Sequence, residues 1–236
     1  MKKAFKIIAI ALAVLIVLSF AKNIIARTLV SAGVKAVTGL RISMKSMNVG
    51  IIRTLVDIKG LRLFSPAGFP DREMLNMPEA YVDYDLGAFL KGKTHLEEVR
   101  LNLKEFVIVK NEKGELNLDS LKVGKKARKE KAPREFRIDA LHLKIGKVIY
   151  KDYSAGTPPR VTEFVLNLDE RYENITNPYA VSNLIVFRAL VNTTVARLTD
   201  FELGPLKEQI GGSLGKVKAI AEQTTGKATE KAVEAI

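Results

Sequence analysis

The sequence predicts a mainly β protein with helices at both ends: an N-terminal transmembrane helix, a curved antiparallel β-sheet and C-terminal amphipathic helices. Three observations carry this reading. An apolar run opens the chain, a six-residue strand pattern recurs three times in the middle, and helical spacing returns after Pro178. The implied divisions are an anchor helix with its extension over 1–39, a sheet domain over 40–177 with a basic loop at 122–137, and a helical region over 178–236.

The opening stretch "MKKAFKIIAIALAVLIVLSFAK" has three lysines and then an apolar run from Ile7 to Ala21, broken by Ser19. Counted from Phe5, a helix through Ala21 spans about 26 Å at 1.5 Å per residue. That is near the roughly 30 Å of bilayer hydrocarbon, with Lys6 snorkelling to the interface. A cleaved signal peptide is the competing reading, with Ser19 and Ala21 as the small residues of the cut. Helical patterning continues through Ile24, Ile25, Leu29, Val30, Val34 and Val37 to Gly39, which favours a retained anchor. Lys2, Lys3, Lys6 and the α-amino group place the N-terminus inside.

Beyond Gly39 the alternation has period two. "IKGLRL" from Ile58, "LEEVRL" from Leu96 and "IDALHL" from Ile138 share one pattern, and their starts lie 38 and 42 residues apart. Within each, the aliphatic positions change parity once. An inserted residue, a β-bulge, restores the facing and bends the strand. Three bulges in corresponding places predict a curved sheet whose candidate apolar lining is Leu61, Leu63, Val99, Leu101, Leu103, Leu141, Leu143 and Ile145. "VRLNLKEFVIVKNEKGELNL" reads as a hairpin turning at Asn111 to Gly114, and the run from Ile138 as a second, turning at Ser154 to Pro159. After Pro178, Val181, Leu184, Ile185, Val191, Val195 and Leu198 form one helical stripe.

"LFSPAGFP" closes the first repeat. Pro66 cannot donate to a ladder and Gly68 tolerates positive φ, so Pro66, Gly68 and Phe69 form a bend that ends the strand. "DLGAFLKG" has Leu86, Phe89 and Leu90 at helical spacing, which suits a short turn closing one end of a groove.

The net charge of +12 points to an anionic partner. Half of it lies in one loop: Lys122 to Arg137 holds eight basic and two acidic residues. Lys122, Lys125, Lys126, Arg128, Lys129 and Lys131 are candidate contacts for anionic head groups, against a plain solvated loop. No aromatic residues interleave with this charge, so nucleic acid is not an expected partner.

The chain has no cysteine, which excludes disulfides, thiolate metal sites and a cysteine nucleophile. His95 and His142 have no second ligand at metal spacing. Asp83 and Asp85 form an i, i+2 pair that reads as structural. No serine sits in a nucleophile elbow, and "GGSLGK" lacks the phosphate-loop spacing. No catalytic, metal or cofactor site is expected.

Taken together, these residues resemble the AsmA-like family of bacterial envelope proteins. The resemblance rests on the N-terminal segment, the Pro66–Gly68–Phe69 bend, and Asp85, Leu86, Leu90 and Gly92 of the crossing segment. It continues with Gly114, Asn117 and Leu121, and covers roughly residues 1–170. It implies an inner-membrane, single-pass protein with its N-terminus inside and its body in the periplasm. There an open, apolar β groove binds or helps carry phospholipid and supports outer-membrane biogenesis. Seven or eight strands stack to under about 40 Å at roughly 4.8 Å each, too short to bridge two membranes. Carriage therefore calls for a protein partner or homo-oligomer joined by strand addition. The alternative is a membrane-tethered scaffold that binds envelope proteins without carrying lipid.

Overall fold

Long period-two runs build one sheet. The computed structural model describes residues 23–24, 26–28, 30–32, 34–35, 39–50, 53–121, 135–191 and 193–198. Its strands are β1 (Ile42–Ser43), β2 (Ser46–Val49), β3 (Leu55–Phe64), β4 (Glu73–Tyr84), β5 (Thr94–Lys110), β6 (Phe136–Asp152) and β7 (Arg160–Ile175). The helices are α1 (Leu86–Leu90), α2 (Pro178–Val191) and α3 (Val195–Leu198), with a 3-10 helix at Asn117–Leu121. The strands form one open sheet in the order β1-β3-β4-β5-β6-β7, with β2 also on β3. The predicted transmembrane segment lies outside the described residues, as do Lys122 to Lys131 and the tail from Lys207. Among the described residues, no helix is long and apolar enough to cross a membrane.

The sheet is mixed, which corrects the antiparallel expectation. β5 and β6 run parallel, from Thr94↔Phe136 to Lys110↔Asp152. Their offset of 42 residues equals the interval between the second and third sequence repeats. The predicted second hairpin forms, as β6 and β7. The first does not. Its turn is present, with Gly114 at φ 82 and its N–H bonded to the Asn111 carbonyl at 2.9 Å. The returning chain makes a single bridge, Lys110↔Leu116, and then winds into the 3-10 helix.

Asn117 explains the diversion. Its side chain accepts from Val109 N at 2.9 Å and donates to Val107 O at 2.9 Å. β4 pairs β5 only as far as Phe106. Beyond that rung the fully buried Asn117 amide stands in for a strand's backbone. A local side-chain bond thus outcompetes the ladder.

Of the three expected bulges one is found, at Glu97 of β5 against β4; the pairings show no register shift at Gly60 or between Ile138 and Leu141. The strands instead change face together along two transverse creases. One crosses Tyr84, Glu97, Asp139 and Asn174. There β5 carries an extra residue against β4, while β5 and β6 pass from Leu96↔Ile138 to Glu98↔Ala140 with unchanged register. The other crosses Gly60, the Leu103–Lys104 step, Gly146 and Asn167. β3 passes Gly60 without any register shift against β4, because Met77 and Ala80 of β4 exchange faces at the same level. β7 answers Gly146 with an inserted residue. The first sequence repeat therefore lies on a different crease from the other two. Among the described residues, the non-glycine positive φ angles are at Thr54, Asn167 and Asn174, and all three sit on or at the end of a crease.

Two apolar clusters result. The larger joins one face of all seven strands to α2, α3 and the helical residues Ala26, Val30 and Val34 of the N-terminal segment. The smaller lies on the opposite face, where Val107, Val109, Ile149 and Tyr153 pack with Phe69. The predicted C-terminal stripe is broken between α2 and α3. Leu184 and Val195 are buried, Val191 is exposed, and Ala180, Val186, Ala189 and Leu190 join the buried set.

Gly146 is the tightest point of the second crease. A Cβ there would lie 2.7 Å from the Lys104 carbonyl oxygen. Gly146→Ala is expected to cost about 1–3 kcal/mol, the range for overpacking, seen as a lower urea midpoint. A midpoint equal to the parent's rules out a crease fixed by that approach. Asn117→Ala strands a buried donor and acceptor on β5 and is expected to lose about 1–3 kcal/mol in the same assay.

Candidate functional site: the apolar face and the two sheet ends

Alternation and the creases bring the eight predicted lining residues into one cluster. Val99 stands beside Leu141, Leu101 beside Leu143, and Leu103 beside Ile145 on the parallel pair. Leu61 and Leu63 reach the same face on β3, opposite Met77 and Leu75 of β4. Leu61 and Leu101 are half-buried and the other six are buried. The face extends past the second crease to Phe106, Ile108, Val148 and Tyr150, which the sequence reading missed. The signal was there: the Leu103–Phe106 and Ile145–Val148 spacings repeat the parity change recognised seven residues earlier.

The face is roofed. Leu184, Val186, Ala189 and Leu190 of α2 share its cluster, as do Leu118 and Leu121 of the 3-10 helix. α2 is tied to the edge strand by ions. Arg188 Nε lies 2.9 Å from Glu170 Oε2 and 2.6 Å from the Tyr172 hydroxyl, which also donates to Glu170. Burial, with the Glu170 carboxylate, pushes the Tyr172 phenol well above its ordinary range, so it stays a neutral donor.

The chain turns at Pro66, Gly68 and Phe69 after β3 ends at Phe64. Gly68 has φ 95, and Ser65 N bonds the Arg72 carbonyl at 2.7 Å. The effect of this turn is on the opposite face. Phe69 covers the small cluster, and Asp71 takes Lys151 Nζ at 2.7 Å and the Tyr153 hydroxyl at 2.8 Å. The segment "SPAGFP" therefore caps the back of β5 and β6 before the chain returns as β4.

The other end of the sheet carries α1, β5's start, β6's start and β7's finish. Asp85 caps α1 by accepting from Ala88 N at 2.9 Å. His95 lies between two carboxylates, Nε2 at 2.8 Å from Asp139 and Nδ1 at 3.3 Å from Asp85. Only an imidazolium can donate at both nitrogens. The Asp139 bond, with a smaller contribution from Asp85, holds the His95 pKa above its ordinary value despite partial burial. Asp85 is lowered by the Ala88 N–H first and by His95 second. Burial works against Asp139, but the bonds from His95 and Arg137 outweigh it and lower that group too. Sequence spacing could not show this cluster, because its members lie 10 and 44 residues from His95. His142 faces Glu98 at 3.5 Å, and Asp83 accepts from the Thr54 hydroxyl at 3.3 Å. Among the described residues, no cluster of three metal-ligand side chains occurs.

α1 forms at "LGAFL" as expected, but it closes no groove: Phe89 and Leu90 point outward, 67% and 78% exposed. No protein-family model matches the chain, and neither curated proteins nor solved structures gave a significant match.

The His95 cluster makes stability depend on pH with a defined sign. A group whose folded pKa is raised contributes fully below its ordinary value near 6.5 and loses that contribution as pH rises through the folded value. Wild type should therefore exceed His95→Gln in urea midpoint at pH 5.5 or so, and the gap should shrink by about pH 8.5. A gap independent of pH rules out the charged clamp.

Proposed function

We propose that this chain is a membrane-tethered envelope module of AsmA-like type that binds phospholipid acyl chains on its apolar sheet face. The carrying observation is that face itself. It is continuous across an open sheet, and helices cover it rather than a second sheet. The lining begins at the end where the N-terminal segment joins: Asn23 Oδ1 accepts from Val49 N at 3.0 Å. In this reading α2 is the cover of the lipid-free state, and the Arg188–Glu170–Tyr172 cluster is its latch. The placement proposed is the inner membrane, N-terminus inside, with the sheet in the periplasm. The basic residues Lys122 to Lys131 would add anionic head-group attraction.

A second reading, the scaffold, draws on another observation. β7 is an edge strand of 16 residues whose outer face exposes Val161 and Val165. Such an edge can take a further strand from a protein partner or a second copy. Its charged residues, including Glu163, Asp169 and Arg171, are of the kind that blunts edges against that pairing, so the lipid reading is preferred.

A photo-activated crosslinker at half-buried Leu101, introduced into the full chain in living cells, separates the two. Phospholipid adducts are the expected product, and they should increase when Arg188→Ala releases the latch. Adducts with protein alone favour the scaffold, and their predominance overturns the lipid reading.

A further inference from the structure

The end of the sheet that bears α1 carries apolar side chains that no described residue covers. Phe89 and Leu90 are among the most exposed large hydrophobic residues described, and Ile24, at 68%, belongs to the same end. The contiguity is covalent and hydrogen-bonded. Asn23, next to Ile24, holds Val49 N at 3.0 Å. The following residue, Gly50, accepts from the Tyr84 hydroxyl at 3.0 Å, and Tyr84 directly precedes the α1 cap Asp85. Asn23 also marks where the apolar run from Ile7 to Ala21 has just ended in the sequence.

Isolated exposed hydrophobic residues need no explanation, but a bulky pair on a five-residue helix at a loop tip does. The packing is not what holds these side chains there: no residue of α1 is buried. The helix is fixed instead by its Asp85 cap, by Asp85 N bonding the His95 carbonyl at 3.0 Å, and by Lys93 N bonding Ala88 O at 3.0 Å. The tip is thus held by hydrogen bonds, apolar at its crown, with Lys91 exposed beside it and Lys93 paired with Glu135 at 2.6 Å.

We propose that this end is a membrane-docking tip: Phe89, Leu90 and Ile24 enter the interfacial region of an anionic bilayer, with Lys91 and Lys93 at head-group level. This rests on the tethered reading above and deepens it by stating how the sheet stands on the membrane. Two features favour lipid over a protein. Three side chains cannot supply the roughly 800 Å² per partner of a stable protein interface, whereas an amphipathic element needs to sink only about 5–10 Å into the interface. Asn23, the first described residue, is held at this end, and the apolar run Ile7–Ala21 precedes it in the sequence, so a tether through that run would bring the tip near the surface.

The absence of native cysteine makes the test direct. The full chain carrying Leu90→Cys, labelled with bimane, is reconstituted into vesicles of phosphatidylcholine and phosphatidylglycerol containing a lipid-borne spin quencher. Val165→Cys, exposed on the distant half of β7, is the reference. The expected result is strong quenching at position 90 and little at 165, with Lys91→Glu reducing the former. Flotation of the same samples reads the tether separately. A chain that floats with its vesicles while position 90 stays as bright as 165 overturns the docking tip and leaves the tether standing. The same outcome with position 90 shielded from aqueous iodide assigns the tip to a protein contact instead. A chain that does not float overturns both.

Discussion

The sheet can keep one face apolar only if neighbouring strands change face at the same rung. A single strand that slipped by one residue would send every later side chain to the wrong side. Two means solve this problem here. Where adjacent strands exchange faces together, as β5 and β6 do at Glu97 and Asp139, pairing continues without a register shift. Where one neighbour does not exchange, it takes an extra residue, as β7 does opposite Gly146. The backbone cost falls on positions that tolerate it: Gly60 at φ 61, Asn167 at φ 46 and Asn174 at φ 57. Glycine and asparagine are the residues that enter this region most readily. The first edge shows the same constraint. β1 and β2 keep one register against β3 on either side of Lys45, which faces Gly60 and has its N–H on the Lys59 carbonyl at 3.0 Å.

This constraint also separates what was legible in the sequence from what was not. The aliphatic-x-x-aliphatic step was visible in "LEEVRL" and "IDALHL", and it located the first crease. The same step at Leu103–Phe106 and Ile145–Val148 lay inside long apolar runs, where it is harder to distinguish. "IKGLRL" looks identical but sits at the second crease, because β3 is out of phase with β5 through the intervening β4. The bend at Pro66, Gly68 and Phe69 was readable from turn chemistry, although its docking partners Lys151 and Tyr153 were not. The parallel pair was hidden for a different reason. The turn signal at Asn111 to Gly114 was correct, and only the three-dimensional fit of Asn117 onto Val107 and Val109 stopped the second strand. A side chain that imitates a backbone leaves no periodicity to read.

The two ends of the sheet are stabilised by different physics. At the Asn117 end the closures are mostly buried: an amide on β5, and Phe69 over a small apolar cluster flanked by the single Asp71–Lys151 ion pair. At the α1 end they are charged and partly exposed, with His95 between Asp85 and Asp139. Exposed ion clusters contribute little to folding in water. They do fix orientation, and here they fix the angle at which α1 leaves the sheet. The proposed membrane contact therefore lies at the end whose closures are charged, beside the His95 cluster.

The roof over the apolar face limits where lipid could enter. Lifting α2 into water would expose Leu184, Val186 and Leu190, each buried to within 3%. At about 1.5–3 kcal/mol per large side chain, that costs roughly 5–9 kcal/mol before the Arg188 latch is counted. An open face would then be populated at about one part in 10⁴ to 10⁷ in free solution. An acyl chain drawn from a bilayer does not offset this, since it is apolar-solvated both before and after transfer. The cost disappears only if α2 moves onto another apolar surface as it leaves the sheet. Such a surface exists at a membrane or on a partner protein, and not in bulk water. On the proposed lipid reading, exchange would therefore be tied to contact, with α2 closed over the sheet in bulk water.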